Sequence, residues 1–211
     1  MTRDFLHYRK VYENRPFEPT LESFRRRHIG AKLLPFFVNN APDILDVGIG
    51  REAVSRKLPF ATNSLTLVEP MEWSVDRDFE AYGEDGTSRF RGVFDEFLTD
   101  ERDTQSGSRF DLILLSGVLH EMSEEEARRA VIGVTGLLRP NGLVAVVVPN
   151  RNSLHRILGV HMGMQASLDS KTQTETSIDQ QSGFTMAGLT TMFTMLQLTE
   201  VLCETFFLKP S

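Results

Sequence analysis

A short run of strand chemistry that ends in two spaced glycines, Ile44-Leu45-Asp46-Val47-Gly48-Ile49-Gly50, constrains this chain more than any other feature. An aliphatic strand that stops at Gly-x-Gly turns its backbone sharply and leaves room for a ligand to approach it. A purely backbone role is the alternative, so the surrounding pattern has to decide. From residue 43 to about 150 the chain alternates strand-like and helix-like segments. Strands are expected at 43–47, 64–68, 90–94, 110–115 and 143–148, and the near-continuous apolar run Leu112-Ile113-Leu114-Leu115 suits a sheet covered on both faces. The clearest helix is 123–138, where Ser123 and Glu126 have the spacing of a capping box; Asn141-Gly142 then turns the chain into the next strand. Such alternation implies an α/β fold with a parallel, Rossmann-like sheet.

Before residue 43, the stretch 20–37 reads as a helix with Leu21, Phe24, Ile29, Leu33 and Phe37 on its apolar side. Residues 1–40 are therefore expected to form an N-terminal helical cap, and Arg25-Arg26-Arg27 a solvated helix face. The remainder, 41–211, reads as one domain. Within it 165–183 is rich in Ser, Thr, Gln and Asp, longer than a plain connection needs, and 151–183 reads as a lid-like insert. A helix is expected over 185–196, a strand over 201–208, and Cys203 as a buried apolar residue. Met162, Met164, Met186, Met192 and Met195 read as core packing before they read as a pocket lining.

Composition excludes several classes. A net charge of −6 argues against a nucleic-acid binder, and no apolar run is long enough to span a bilayer. The single cysteine cannot pair within the chain, and the first residues lack a signal-peptide core; a cytoplasmic protein is the expectation. Scattered histidines and one cysteine offer no metal-ligand spacing, so no metal is expected.

Read literally, Gly48-x-Gly50-x-x-Ala53 followed by Glu69 is a dinucleotide fingerprint. Charge points elsewhere. Asp46 and Glu52 flank the turn, and a like-charge contact at ~5 Å with an effective dielectric of ~20 costs roughly 3 kcal/mol against a pyrophosphate. S-adenosylmethionine carries no phosphate, and two of its three charged groups are cationic.

The ordered set Asp46-Val47-Gly48-Ile49-Gly50, Glu69, Val93-Phe94-Asp95-Glu96-Phe97 and Phe110 to Glu121 resembles the class I S-adenosylmethionine-dependent methyltransferases. Leu137-Leu138-Arg139-Pro140-Asn141-Gly142, Val148-Pro149-Asn150 and the segment Asn152 to Gly159 extend the likeness over about 40–210, toward a subgroup acting on small metabolites. The resemblance implies a seven-stranded, mostly parallel sheet with helices on both faces and a final antiparallel strand. It implies S-adenosylmethionine as cofactor and a small-molecule acceptor such as a sugar or natural-product precursor, methylated on oxygen, with nitrogen as second choice. Gly48 and Gly50 would line the methionine part of the donor, Asp46 its ammonium, Glu69 the ribose hydroxyls, Asp95 or Glu96 the adenine amino group, and Ser116 the pocket wall. Phe94 or Phe97 could pack on the adenine ring. Glu52 stands where the family usually has a third glycine, which leaves a non-catalytic scaffold with a degenerate donor site as the rival reading.

Methyl transfer to an alcohol or phenol calls for a general base, which histidine suits. His120 follows the fourth strand and His155 the fifth, at the edge of the sheet where open α/β folds bind ligands. Both are catalytic candidates, with capping or structural hydrogen bonding as the alternative role. Asn150 and Arg156 are the candidate acceptor-binding residues.

Overall fold

The computed structural model describes residues 18–50, 53–70, 87–103, 109–171, 176 and 183–205. Expectations at Glu52, for the part of the N-terminal cap before position 18 and across most of 172–182 lie outside them. Five strands form one sheet: β1 (Asp43–Val47), β2 (Ser64–Glu69), β3 (Thr87–Arg91), β4 (Phe110–Ser116) and β5 (Leu138–Val147). Their order is β3-β2-β1-β4-β5, and every neighbouring pair is parallel. The helices are α1 (Glu18–Phe37), α2 (Phe94–Asp103), α3 (Glu124–Leu137), α4 (Leu154–His161) and α5 (Met186–Thr194), with short 3-10 turns at Val54–Lys57 and Leu119–Glu121.

The run at β4 is buried on both faces, and alternation sorts its side chains. Ile113 and Leu115 pack with Phe94, Phe97, Val131 and Val134 of α2 and α3, whereas Leu112 and Leu114 pack with Ile29, Leu33 and Phe37 of α1. The sheet is thus covered on both sides, by α1 on one and by α2 and α3 on the other. The capping box of α3 forms as expected: Glu126 N donates to Ser123 Oγ, and Ser123 N to Glu126 Oε2 at 2.7 Å.

The expected seven strands are five among the described residues. Residues 201–205 are irregular and exposed, Val201 at 61% and Leu202 at 55%, and 206–208 lie outside the described set. Here Glu204 is drawn onto α1 instead, where His28 Nε2 stands 2.6 Å and Lys32 Nζ 2.9 Å from its carboxylate. Cys203 is exposed, not buried. The third strand ends at Arg91, because Gly92 breaks it and the next residues start α2; Glu96 Oε2 accepts from Val93 N and closes that first turn. The Asn141-Gly142 turn lies inside β5, with Asn141 at φ 65°. The β4–β5 register shifts there, from Phe110↔Leu138 to Leu112↔Leu143. Among the described residues no helix is long and apolar enough to cross a membrane, and no cluster of three or more metal-ligating side chains forms.

Candidate functional site

β1 and β4 are neighbours, but the chain leaves β1 toward β2 and leaves β4 toward β5. Such a reversal of strand order opens a crevice beyond the carboxyl ends of the two strands, where ligands bind in open α/β sheets. In this chain the crevice lies between Gly48–Gly50 and Ser116–Gly117. The backbone carries the pairing one residue past each strand: Gly48 N donates to Val68 O at 2.9 Å and Gly117 N to Val147 O at 2.8 Å.

The glycine turn is closed on one side and open on the other. A Cβ at Gly48 would collide with Val118 Cγ2, so that glycine exists to let the residues after β4 pack against β1. Gly50 has φ 58°, a conformation that side chains disfavour, and among the described residues a Cβ there would meet Glu22 Oε1, at 3.8 Å. Among the described residues the glycine turn is followed by a single 3-10 turn, Val54–Lys57, too short to supply the aligned amides that hold a pyrophosphate.

Two buried carboxylates flank this turn. Asp46 is fully buried, and its Oδ2 accepts from Ser55 N at 2.9 Å and Ser55 Oγ at 2.8 Å. Its Oδ1 is buried without a hydrogen-bond partner among the described residues. Burial pushes its pKa up to about 6, against the pull of the Ser55 hydrogen bonds and the positive charge of Arg25. Glu69, at the end of β2 and 3% exposed, accepts from Gly50 N at 3.2 Å through Oε2.

Helix α1 roofs the same place, which the sequence did not reveal. Arg25-Arg26-Arg27 is not a uniformly solvated face: Arg26 is buried beside Glu22 at 3.6 Å, Arg25 is half-buried, and only Arg27 is exposed. The i,i+4 spacing of Glu22 and Arg26 was the available signal. Arg25 Nη1 stands 3.3 Å from where a Cβ on Gly117 would lie, and His120 Cε1 stands 3.8 Å from that point.

Beyond β4, Ser116 is 6% exposed and its Oγ has no hydrogen-bond partner among the described residues. Asp46 is in register with Leu114, and Ser116 lies two residues farther along β4, so both side chains leave the sheet on the α1 face. His120 sits in the 3-10 turn with its side chain 12% exposed. Nε2 is 3.2 Å from Glu121 Oε1, and Nδ1 is buried with no hydrogen-bond partner among the described residues. The structure therefore places Asp46, Gly48, Gly50 and Glu69 around the turn after β1, with Ser116 and His120 at the end of the neighbouring β4, and adds Arg25, Ser55 and Glu121 to those the sequence singled out.

The remaining candidates are placed otherwise. Asp95 faces Arg129 of α3, both oxygens at 3.3 Å from the guanidinium, on an exposed surface. Glu96 caps its own helix. Phe94 and Phe97 stack on each other inside the core, ring centroids 6.0 Å apart, not in an open pocket. Asn150 bridges to Phe184, and its Oδ1 accepts from Asn152 N at 2.9 Å, shaping the entry to α4. His155 is exposed in the first turn of α4. Arg156 is 4% exposed, and its Nη2 donates to the carbonyls of Leu168 and Ser170 at 3.0 and 2.8 Å, so it ties down the loop after α4.

No protein-family profile matches the chain, and neither does any curated protein sequence. Solved structures do. The N-methyltransferase NodS from Bradyrhizobium japonicum WM9, in complex with S-adenosyl-L-homocysteine, superposes with TM-score 0.54 at 18% identity over 87% of this chain and 76% of that one. The plantazolicin methyltransferase BpumL, in complex with a monoazolic desmethylPZN analog and the same nucleoside, gives 0.57 at 19% over 90% and 69%. An O-methyltransferase family protein from Burkholderia thailandensis gives 0.57 at 16%, covering 93% of this chain but only 54% of its own. At these identities the likeness is one of fold.

Proposed function

We propose that this chain, which has the fold of the class I S-adenosylmethionine-dependent methyltransferases, transfers a methyl group from that donor to an oxygen of a small acceptor, with nitrogen as the second choice. The observation that carries the reading is the crevice between β1 and β4, where Asp46 Oδ1, Ser116 Oγ and His120 Nδ1 are buried without hydrogen-bond partners among the described residues. Each such atom costs about 1–3 kcal/mol until something bonds to it, so the crevice is made for a polar guest. The donor set fits this cofactor: a carboxylate for its ammonium, a second carboxylate at the end of β2 for its ribose, and a positive-φ glycine between them.

When bound, the donor supplies a methyl already activated by positive sulfur. The chain's own residues hold and orient. Asp46 is fixed through Oδ2 by Ser55 and keeps Oδ1 for an ammonium. Glu69 is held against the Gly50 amide at the end of β2, the place for the ribose hydroxyls. Gly48, packed by Val118, and Gly50 set the bend that the methionine portion follows. His120 is the general base: a proton on Nε2 faces Glu121, which leaves the Nδ1 lone pair to take the acceptor's proton. Asp95 and Glu96 remain the candidates for the adenine amino group, and His155, Asn150 and Arg156 for the acceptor side. α1 keeps bulk water from the crevice.

Calorimetric titration with S-adenosylmethionine and S-adenosylhomocysteine tests the reading. Binding at micromolar concentrations is expected, and no heat at millimolar ligand would return the chain to the scaffold alternative. That alternative has one observation of its own, the Glu22–Arg26 pair seated above Gly50. With an acceptor in hand, His120→Ala should lower kcat about 100- to 10,000-fold while donor affinity holds.

A further inference from the structure

The chain after α5 passes from one face of the sheet to the other and is fastened on both. Leu196 and Leu198 pack with side chains of α2 and α3. Glu200 Oε2 accepts from Thr190 Oγ1 of α5 at 2.7 Å. Four residues on, Glu204 meets α1, whose Ile29 and Leu33 cover the opposite face. One oxygen of its carboxylate lies 2.6 Å from His28 Nε2 and the other 2.9 Å from Lys32 Nζ. Val201, Leu202 and Cys203, between the two ties, are exposed, so little apolar packing holds this stretch. Hydrogen bonds from Lys32 and His28 hold the Glu204 carboxyl below the usual carboxylate range, which keeps it charged at neutral pH.

The position of this contact on α1 gives it leverage. His28 and Lys32 stand one turn apart, so a single carboxylate grips both. They follow Glu22 and Arg25, the part of α1 that reaches over the crevice. Rolling or lifting the helix would part Glu204 from its two partners. We propose that residues 198–204 form a strap that holds α1 down on the sheet, with Glu204 as its clasp, and so set how tightly the crevice beneath α1 is closed. An exposed ion pair is weak by itself. Two cations on one carboxylate, at the end of a stretch with little packing of its own, make a clasp that opens when Glu204 is neutralised or its partners are screened.

Hydrogen exchange followed by mass spectrometry on the full chain, without ligand, reads the hold on α1. Glu204→Ala should speed exchange along α1 roughly 3- to 10-fold and leave α3 within about twofold of wild type, which also reports that the variant is folded. Combining Lys32→Glu with Glu204→Lys should restore slow exchange, whereas either change alone should not. Sodium chloride at about 0.5 M should move the wild type toward the Glu204→Ala rate and leave that variant where it is. A nitroxide on Cys203, the chain's single cysteine and exposed, should gain mobility in Glu204→Ala. Unchanged α1 exchange in Glu204→Ala overturns the strap, as does an equal rise in α1 and α3, or an exchange of charges that restores nothing. No ligand enters the measurement, so the strap and the donor reading fail separately: binding of S-adenosylhomocysteine beside an unaltered α1 in Glu204→Ala would keep the donor and remove the strap.

Discussion

Around β1 and β4 the apolar side chains point inward, whereas beyond β5 many of them face solvent. Ile44, Leu45, Leu112, Ile113 and Leu115 are fully buried, and the polar groups among them are few and held in fixed geometry, as Ser55 holds Asp46. After β5, Leu154, Ile157 and Leu158 form an i, i+3, i+4 stripe on α4 that is about half exposed, at 53%, 46% and 47%. Met162 and Met164 follow at 69% and 78%, so the expectation that these methionines are core is not met. The loop after α4 is held by polar ties, Arg151 to Asp169 and the Gly183 carbonyl, and Arg156 to the Leu168 and Ser170 carbonyls. One half of the molecule is set by packing and presents a preformed crevice. The other is set by a handful of hydrogen bonds and leaves apolar side chains for something else to cover.

The sharpest way to break the comparison is to empty the first half. Ile113→Ala should cost about 2–5 kcal/mol in denaturant unfolding, because its neighbours on α2 and α3 cannot collapse onto the void. A loss below about 1 kcal/mol would mean that the β4 region is no better packed than α4.

Next comes pH. The folded Asp46 carboxyl keeps its proton up to about pH 6, whereas an unfolded one releases it near pH 4. Raising the pH through that window therefore favours the unfolded chain, on the order of 3 kcal/mol from this group by pH 7. Asp46→Asn should remove that part of the slope when unfolding is followed from pH 4 to 7; a variant with the wild-type slope would show that another group carries it. At the other end of β1 the sign reverses. Asp43 is pushed up by burial, but hydrogen bonds from Ser64, Arg139 and Asn63 outweigh this and hold its pKa below the usual value. Its contribution is present above pH 4 and is lost as the pH falls through its lowered pKa.

Removing the α3 cap, Ser123→Ala, should cost about 1 kcal/mol, seen as a lower Tm. The smallest effect belongs to the second half: Leu158→Ala should stay within about 0.5 kcal/mol of wild type. A larger loss would show that α4 is covered in solution, and would dissolve the contrast drawn here.

Where one local signal sufficed, the sequence was enough. The strand 43–47 with its glycine turn, the doubly buried β4 and the capped α3 follow from alternation, from positive-φ glycines and from a Ser-x-x-Glu spacing, all of which act within a few residues. Asp46, Glu69, Ser116 and His120 were legible because each sits at a fixed offset from a strand end. The roof over them was not. Arg25, Arg26 and Arg27 are identical in the sequence, and only the docking of α1 on β1 and β4 decides that one is exposed, one is paired in the interior and one reaches the crevice. Residues 201–205 likewise meet a distant part of the chain, Glu204 with His28 and Lys32, which their strand-like composition did not signal. Backbone geometry is a local property and can be read residue by residue. Which side chain of α1 faces β1 and β4, and which ones meet Glu204, depends on chain segments more than twenty residues apart, and no local pattern encodes that.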